Sequence, residues 1–247
     1  VTPVVRTAIP KVLQKNGNGW LTELQAAINE LARVKNDSQA KKEDLNQANK
    51  DVEKARQKYK HAEVKTALVA MFYGKCAYCE SLITTVTYGQ IEHFYPKSSY
   101  INRTFSWHNL LLSCDICNDI GHKGTNFPID VNGNPLLIDP TDGVTDPATH
   151  LKFDWDEQIG QAWVYGQDAR GQEVVCIFDF NGRKELIKRR SKYVEELMCL
   201  LEFAKTGNKE AIGILESACQ PDAPYRAFAL AYIRPHLKLA TMPSKNP

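Results

Sequence analysis

Residues 114–124 read CDICNDIGHKG, and residues 76–80 read CAYCE. Each stretch spaces two thiols as C-x-x-C. Taken alone, either pair would suit a redox dithiol, but that reading needs one reactive pair beside a βαβ pattern, which this segment does not offer. Taken together, Cys76, Cys79, Cys114 and Cys117 supply four thiolates, the ligand set of a tetrahedral structural zinc (Zn2+). The 34 residues between the pairs exceed what a compact zinc ribbon uses. A whole substructure therefore fits between them, clamped at its base. Cys176, Cys199 and Cys219 fall in apolar patterns and are expected to be small core residues.

The bulk properties are those of an ordinary globular chain: 247 residues, 43% hydrophobic and 24% charged, long enough for one large domain or two small ones. A formal charge of +2 does not mark the whole chain as a nucleic-acid binder, so any basic surface must be local. No apolar run approaches a membrane span, and the first residues lack a signal-peptide profile. The expected location is cytoplasmic, with no membrane partner. In a reducing compartment, seven cysteines argue against a disulfide framework.

Residues 20–34 place Leu21, Leu24, Ile28 and Leu31 at helical spacing. After a KNDS break, a longer helix is expected over residues 39–73, with a seam of Leu45, Ala48, Val52, Ala55, Tyr59 and Ala62. That seam suits packing against the first helix as an antiparallel hairpin. Its small seam and charged faces fit either a solvated helix pair or a docking arm for a partner protein. Beyond the cysteine-rich middle, NPLLIDP, HLKFDWD, QAWVYG and EVVCIFDF read as short strands divided by Gly, Asp and Pro turns. Asn181 reads as the N-cap of a helix with Leu186, Ile187, Val194, Leu197, Leu201 and Phe203 on one face. Two shorter helices follow, and MPSKNP (residues 242–247) reads as a frayed end. The cluster Arg183, Lys184, Lys188, Arg189, Arg190 and Lys192 fits a phosphate-tracking stripe or a solvated helix face equally. The expected class is α+β and mainly helical. Its parts are an N-terminal helical hairpin (1–73), a zinc-stapled core (74–130), a short-strand β extension (131–180) and a C-terminal helical segment (181–247).

Inside the clamp, Glu92 and His93 close an apolar-alternating strand, Asn109 precedes the apolar run 110–112, and Asn118 directly follows the last cysteine. In this order, between two cysteine knuckles, these residues resemble the HNH nuclease motif. Pro96 and Lys97 after the histidine, and Lys123 after Asn118, fit the same pattern. The resemblance covers residues 74–130 and implies a ββα-metal core around a catalytic divalent cation, Mg2+ or Mn2+, separate from the zinc. It implies His93 as general base and Glu92 and Asn118 as oxygen ligands. Asn109 would tie down the loop after His93, and Lys123, with Lys97, would neutralise phosphate. The chemistry is consistent. A neutral imidazole takes a proton from water near pH 7, and carboxylate and amide oxygens suit hard cations. Glu92 stands where many members have Asp, and its longer arm still reaches a metal. His108 and His122 are further candidates for metal or phosphate contact, or are packing residues. His61, His150 and His236 have no partners at ligand spacing and read as structural.

The flanks, with KCAYCE, IEHFYPKS, WHNLLLSCDICN, NFPI and PLLIDP, resemble the PtuB-type HNH proteins of Septu and retron-associated antiviral defence. That resemblance implies an endonuclease effector working with an ABC/SMC-like ATPase of the PtuA type, in some systems with a retron reverse transcriptase and its msDNA. No G-x-x-x-x-G-K-[ST] occurs, so any ATP would bind elsewhere. DNA is the expected substrate, with RNA, including tRNA, left open. The alternatives are a zinc-stapled module that binds nucleic acid without cutting it, or a stand-alone repair or mobile-element HNH nuclease.

Overall fold

The computed structural model describes residues 1–84 and 88–240, so the 242–247 segment lies outside the described residues. In chain order the elements are α1 (Lys11–Asn36), α2 (Lys42–Arg56), α3 (Ala62–Met71), β1 (Gln90–His93), β2 (Leu110–Ser113), α4 (Asp115–Asn118), β3 (Leu151–Asp156), β4 (Gln161–Gly166), α5 (Ala169–Ile177), α6 (Lys184–Lys205), α7 (Lys209–Ala218), α8 (Arg226–Phe228) and α9 (Arg234–Ala240). The chain is α+β and mainly helical, with β1 paired to β2 and β3 to β4 in two small sheets. Among the described residues, no helix is long and apolar enough to cross a membrane. The chain divides into two compact units. A helical unit comprises residues 6–71 and 91–111, and a cysteine unit comprises residues 1–5, 72–90 and 112–247.

In the helical unit, α1 begins well before the expected residue 20 and runs through Gly17 and Gly19. Glycine weakens a helix interior, and here packing overrides that cost. Leu13 and Leu24 are buried, and the Trp20 ring meets Phe105 edge-on at 5.7 Å. Helices α1 and α2 pack on each other across the turn at residues 37–41. Beyond α2 the chain continues back along α1, with Lys58 paired to Glu23 and Glu63 of α3 accepting from the Val12 N–H at 3.1 Å.

The long helix expected over residues 39–73 is broken. After Ala48, Val52 and Ala55 have been buried, a 3₁₀ turn spans Gln57–Lys60. His61 then adopts extended geometry (φ −57, ψ 139) before α3 begins. The break turns buried Tyr59 onto the ring of His93, edge-to-face at 4.5 Å. A straight helix would have kept that ring on the hairpin seam.

In the cysteine unit, β3 and β4 are antiparallel, with Leu151 opposite Gly166 and Asp156 opposite Gln161. Leu151, Phe153, Ala162 and Val164 point inward. EVVCIFDF, read as a strand, is instead mostly helix α5. Its β-branched residues suggested a strand, but the inward positions Gly171, Val174 and Phe178 follow a three-four spacing. Asp168 caps α5, accepting from the Gly171 N–H at 2.8 Å. NPLLIDP contains only an isolated bridge, Ile129 with Pro135, while Leu137 and Ile138 are buried.

Asn181 is not the N-cap of α6; that position is Arg183. The Asn181 amide instead pairs with the Val164 backbone on β4, accepting at 3.1 Å and donating at 2.7 Å. Leu186, Ile187, Val194, Leu197 and Leu201 face inward as expected, but Phe203 is exposed. Leu197, Leu201, Ala204, Ala211, Leu215 and Ile233 form an apolar cluster of α6, α7 and the turn before α9. Cys176 and Cys199 are exposed, so they are not the core residues their apolar neighbours implied, whereas Cys219 is partly buried and packs against the apolar cluster.

Candidate metal centre and active site

The two C-x-x-C knuckles meet in the cysteine unit because β2 presents its last carbonyls to the first knuckle. The Ala77 N–H donates to Leu112 O at 2.8 Å, and the Cys76 sulfur lies 3.7 Å from the Ser113 hydroxyl. The first knuckle closes through Glu80, whose left-handed backbone (φ 60) returns its N–H to Cys76 O at 3.1 Å. The second closes as helix α4, where Cys114 Sγ accepts from the Cys117 N–H at 3.4 Å. All four sulfurs lie within 4.8 Å of one another, with Cys79 and Cys114 at 3.9 Å. A zinc tetrahedron with bonds of about 2.3 Å has edges of about 3.8 Å, so the four residues fit a structural Zn2+.

Crowding splits the ionisation of these thiols. Hydrogen bonding to Cys114 and its sulfur neighbours holds Cys79 well below the ordinary thiol value, and bonding to Cys117 lowers Cys114. Burial pushes Cys76 up, and bonding to Cys114 pushes Cys117 up. Metal binding would require all four as thiolates, leaving a net negative charge on the centre. One cation faces that charge: Arg183 Nη1 donates to Cys117 Sγ at 3.2 Å and to Phe178 O at 3.3 Å. Burial opposes its protonation, but the charge on Cys117 and then Cys79 raises its pKa. Arg183 was legible only as one member of a basic cluster. Arg190, another member, is also turned inward, donating to Ala162 O, Phe180 O and Asn181 Oδ1, and burial lowers it to about 10. The exposed remnant is Lys184, Lys188, Arg189 and Lys192.

The helical unit holds Glu92, His93 and Asn109, all buried. His93 ends β1, and its Nε2 lies 2.9 Å from Thr104 O. A carbonyl only accepts, so Nε2 bears the proton and the lone pair of the neutral ring is on Nδ1. Asn109 holds the intervening loop at both ends. Its Oδ1 accepts from the Tyr95 N–H at 2.7 Å, and its Nδ2 donates to Tyr95 O at 3.0 Å and Arg103 O at 3.1 Å. Sequence reading missed Arg6, whose guanidinium donates to the carbonyls of Trp107, His108 and Leu110 at 2.5, 3.2 and 3.0 Å. It fixes the segment that presents Asn109. Glu92 makes its charge felt on its neighbours. Burial pulls Lys97 down while Glu92 opposes that shift, and burial, then Glu53 and Glu92, push Tyr59 up. The Lys97 ammonium lies 5.3 Å from the Tyr59 ring centre.

The cysteine unit holds Asn118 and Lys123. Asn118 is the last residue of α4 and partly buried. Lys123 is fully enclosed, its ammonium 6.0 Å from the Phe127 ring centre. His108 is exposed and His122 partly buried. His150 does have a partner, Asp168 Oδ2 at 2.6 Å, which ties β3 to the cap of α5.

No family model matches the chain, and no solved structure matches it. Two curated proteins do. The Septu protein PtuB of Bacillus mycoides (strain KBAB4) is 32% identical over 164 residues, covering 56% of this chain and 53% of that protein. The Septu protein PtuB of Bacillus thuringiensis is 35% identical over 150 residues, covering 59% of this chain and 53% of that protein. The chain spans about half the length of these curated relatives. Over more than half of its own residues, the chain is a relative of the Septu PtuB proteins.

Proposed function

We propose that the chain is a metal-dependent HNH-type endonuclease, the nucleic-acid-cutting subunit of a Septu-type antiphage complex with a PtuA-like ATPase. The observation behind the nuclease reading is the setting of His93. A buried imidazole donates Nε2–H to Thr104 O at 2.9 Å and directly follows a buried carboxylate, Glu92. In this reading His93 Nδ1 takes the proton of the attacking water, and the Thr104 carbonyl stabilises the imidazolium that results. Asn109 keeps that carbonyl in position by holding the loop. Glu92 and Asn118 would hold Mg2+ or Mn2+, for which carboxylate and amide oxygens are suitable donors. The bound cation supplies charge neutralisation at the phosphate and assistance to the departing 3′ oxygen. Lys97 contributes positive charge near Glu92, and enclosed Lys123 contributes a fixed charge rather than a surface contact.

DNA is the first substrate to test, with total RNA, including tRNA, as the second. His93→Ala should lower Mg2+-dependent cleavage by at least about 100-fold while zinc content and circular dichroism stay unchanged. Cleavage at the wild-type rate would overturn the mechanism. Cleavage absent from wild type, alone and with the ATPase, together with retained nucleic-acid binding, would favour the non-cutting zinc module. The defence role is tested by co-expression with the neighbouring ATPase. A stable complex that restricts phage is expected, and activity without the ATPase would favour a stand-alone nuclease.

A further inference from the structure

The helical unit contains a cavity of about 620 Å³ between α1 and the loop that follows β1. From α1 it is lined by Gln25 and Asn29, and from the loop by Ser99, Tyr100, Asn102 and Arg103. We propose that this groove is a subsite for an unpaired nucleobase of the nucleic-acid strand, an inference that rests on the nuclease reading above.

Three features of the lining select that ligand. The size lies in the range of small-molecule sites of several hundred Å³. Beside the apolar Ile28 and Ile101, the polar groups are side-chain amides and the hydroxyls of Ser99 and Tyr100, which can donate to and accept from a base edge, as in recognition of unpaired bases. Among the described residues, no carboxylate lines the groove and its one charge is the Arg103 guanidinium, so a polyanion meets no repulsion from the lining. An aromatic face is present as well. The Tyr100 ring is braced edge-on by Tyr95 at 5.1 Å, and the Arg103 guanidinium lies over Tyr95 at 3.8 Å. Bases stack on such rings without regard to sequence.

The loop joins the groove to His93. Arg103 O receives the Asn109 amide at 3.1 Å, and the next carbonyl, Thr104 O, receives His93 Nε2–H at 2.9 Å. A base seated against Tyr100 and Asn102 therefore bears on the segment that orients the candidate general base. Gln25 braces the wall by donating to Asn102 Oδ1 at 2.9 Å, so the two amides that line the groove from opposite elements are already coupled.

The test is binding of short fluorescein-labelled single strands of mixed sequence, as DNA and as RNA, beside matched strands with abasic positions. The full chain is used without added divalent cation, so that zinc remains and cutting does not run. Asn29→Ala/Asn102→Ala changes only exposed positions. It should weaken binding of intact strands by about tenfold and leave binding of abasic strands unchanged. Tyr100→Leu should behave similarly, with zinc content and circular dichroism as fold controls. Equal affinity of wild type and the double variant for intact strands, wild-type indifference to abasic sites, or no binding would each overturn the subsite. Adding Mg2+ separates the two ideas. Base-dependent binding without cleavage, alone and with the ATPase, removes the nuclease reading and keeps the subsite, whereas cleavage with no effect of the double variant on binding removes the subsite alone. The DNA and RNA arms identify which strand is preferred.

Discussion

Arg183 illustrates how much one side chain can add to a metal centre. A four-thiolate zinc site is anionic, and burying uncompensated charge is costly. With zinc bound to the four sulfurs, the guanidinium at 3.2 Å from Cys117 Sγ would offset that charge. Arg183→Gln should speed chelator-driven zinc release by about tenfold, equivalent to about 1.4 kcal/mol, as measured with a chromogenic chelator, with Arg183→Lys intermediate. Release at the wild-type rate would show that the contact is incidental. Asn109 gives a second test. Asn109→Ala removes three partly buried hydrogen bonds and leaves two carbonyls and an N–H without that partner. It should cost about 3 kcal/mol of stability in denaturant melts and, on the proposed nuclease reading, reduce cleavage through the loosened loop. The four-cysteine cluster was legible because its chemistry is encoded in two C-x-x-C spacings, and the buried placement of Glu92, His93 and Asn109 is compatible with the roles proposed for them. Arg183 and Arg6 were not. Their partners lie 66 and about 100 positions away, and nothing local distinguishes either from a solvated arginine.

At the scale of elements, the misread pieces share a cause: local propensity was outweighed by a tertiary neighbour. EVVCIFDF has the β-branched residues of a strand, yet α5 forms because β4 and the β3 approach leave room for a helix packed at backbone distance. That closeness depends on glycine. A Cβ at Gly171 would lie 1.9 Å from His150 O, and one at Gly166 would lie 2.2 Å from Gln172 N. Both obstacles are backbone and cannot swing aside. Gly171→Ala should therefore destabilise the β3–β4–α5 assembly by about 3 kcal/mol, as overpacking does, with loss of near-ultraviolet dichroism from Trp155 and Trp163. A melting temperature equal to wild type would refute this packing account. The break between α2 and α3 follows the same logic. The seam was legible as far as Ala55, but the turn that delivers Tyr59 to His93 answers to a ring more than thirty positions away.

On the scale of the whole chain, each compact unit has its own reason to be folded. The helical unit buries Leu24, Val52, Tyr59, Val64, Leu68, Phe105 and Trp107 and contains none of the four cysteines. The cysteine unit has an apolar cluster on α6 and α7, and its knuckles are short turns and the four-residue α4, with Tyr78 of the first knuckle buried and stacked on Phe178 at 4.1 Å. Four thiols converging at the end of such short segments would gain from a metal, whose binding contributes on the order of 10 kcal/mol in small zinc peptides. Removing zinc should thus melt the knuckles before it melts either apolar core. Hydrogen exchange followed by mass spectrometry, with and without a strong chelator, reads this directly. The amides of Ala77, Glu80, Cys117 and Asn118, each bonded to a carbonyl or sulfur of the knuckles or β2, should lose protection on chelation. Those within α1, α2 and α6 should keep most of theirs, and added Zn2+ should restore the difference. Knuckle amides that stay protected without metal would mean that packing alone holds the four thiols together, and the zinc assignment would fall with that result.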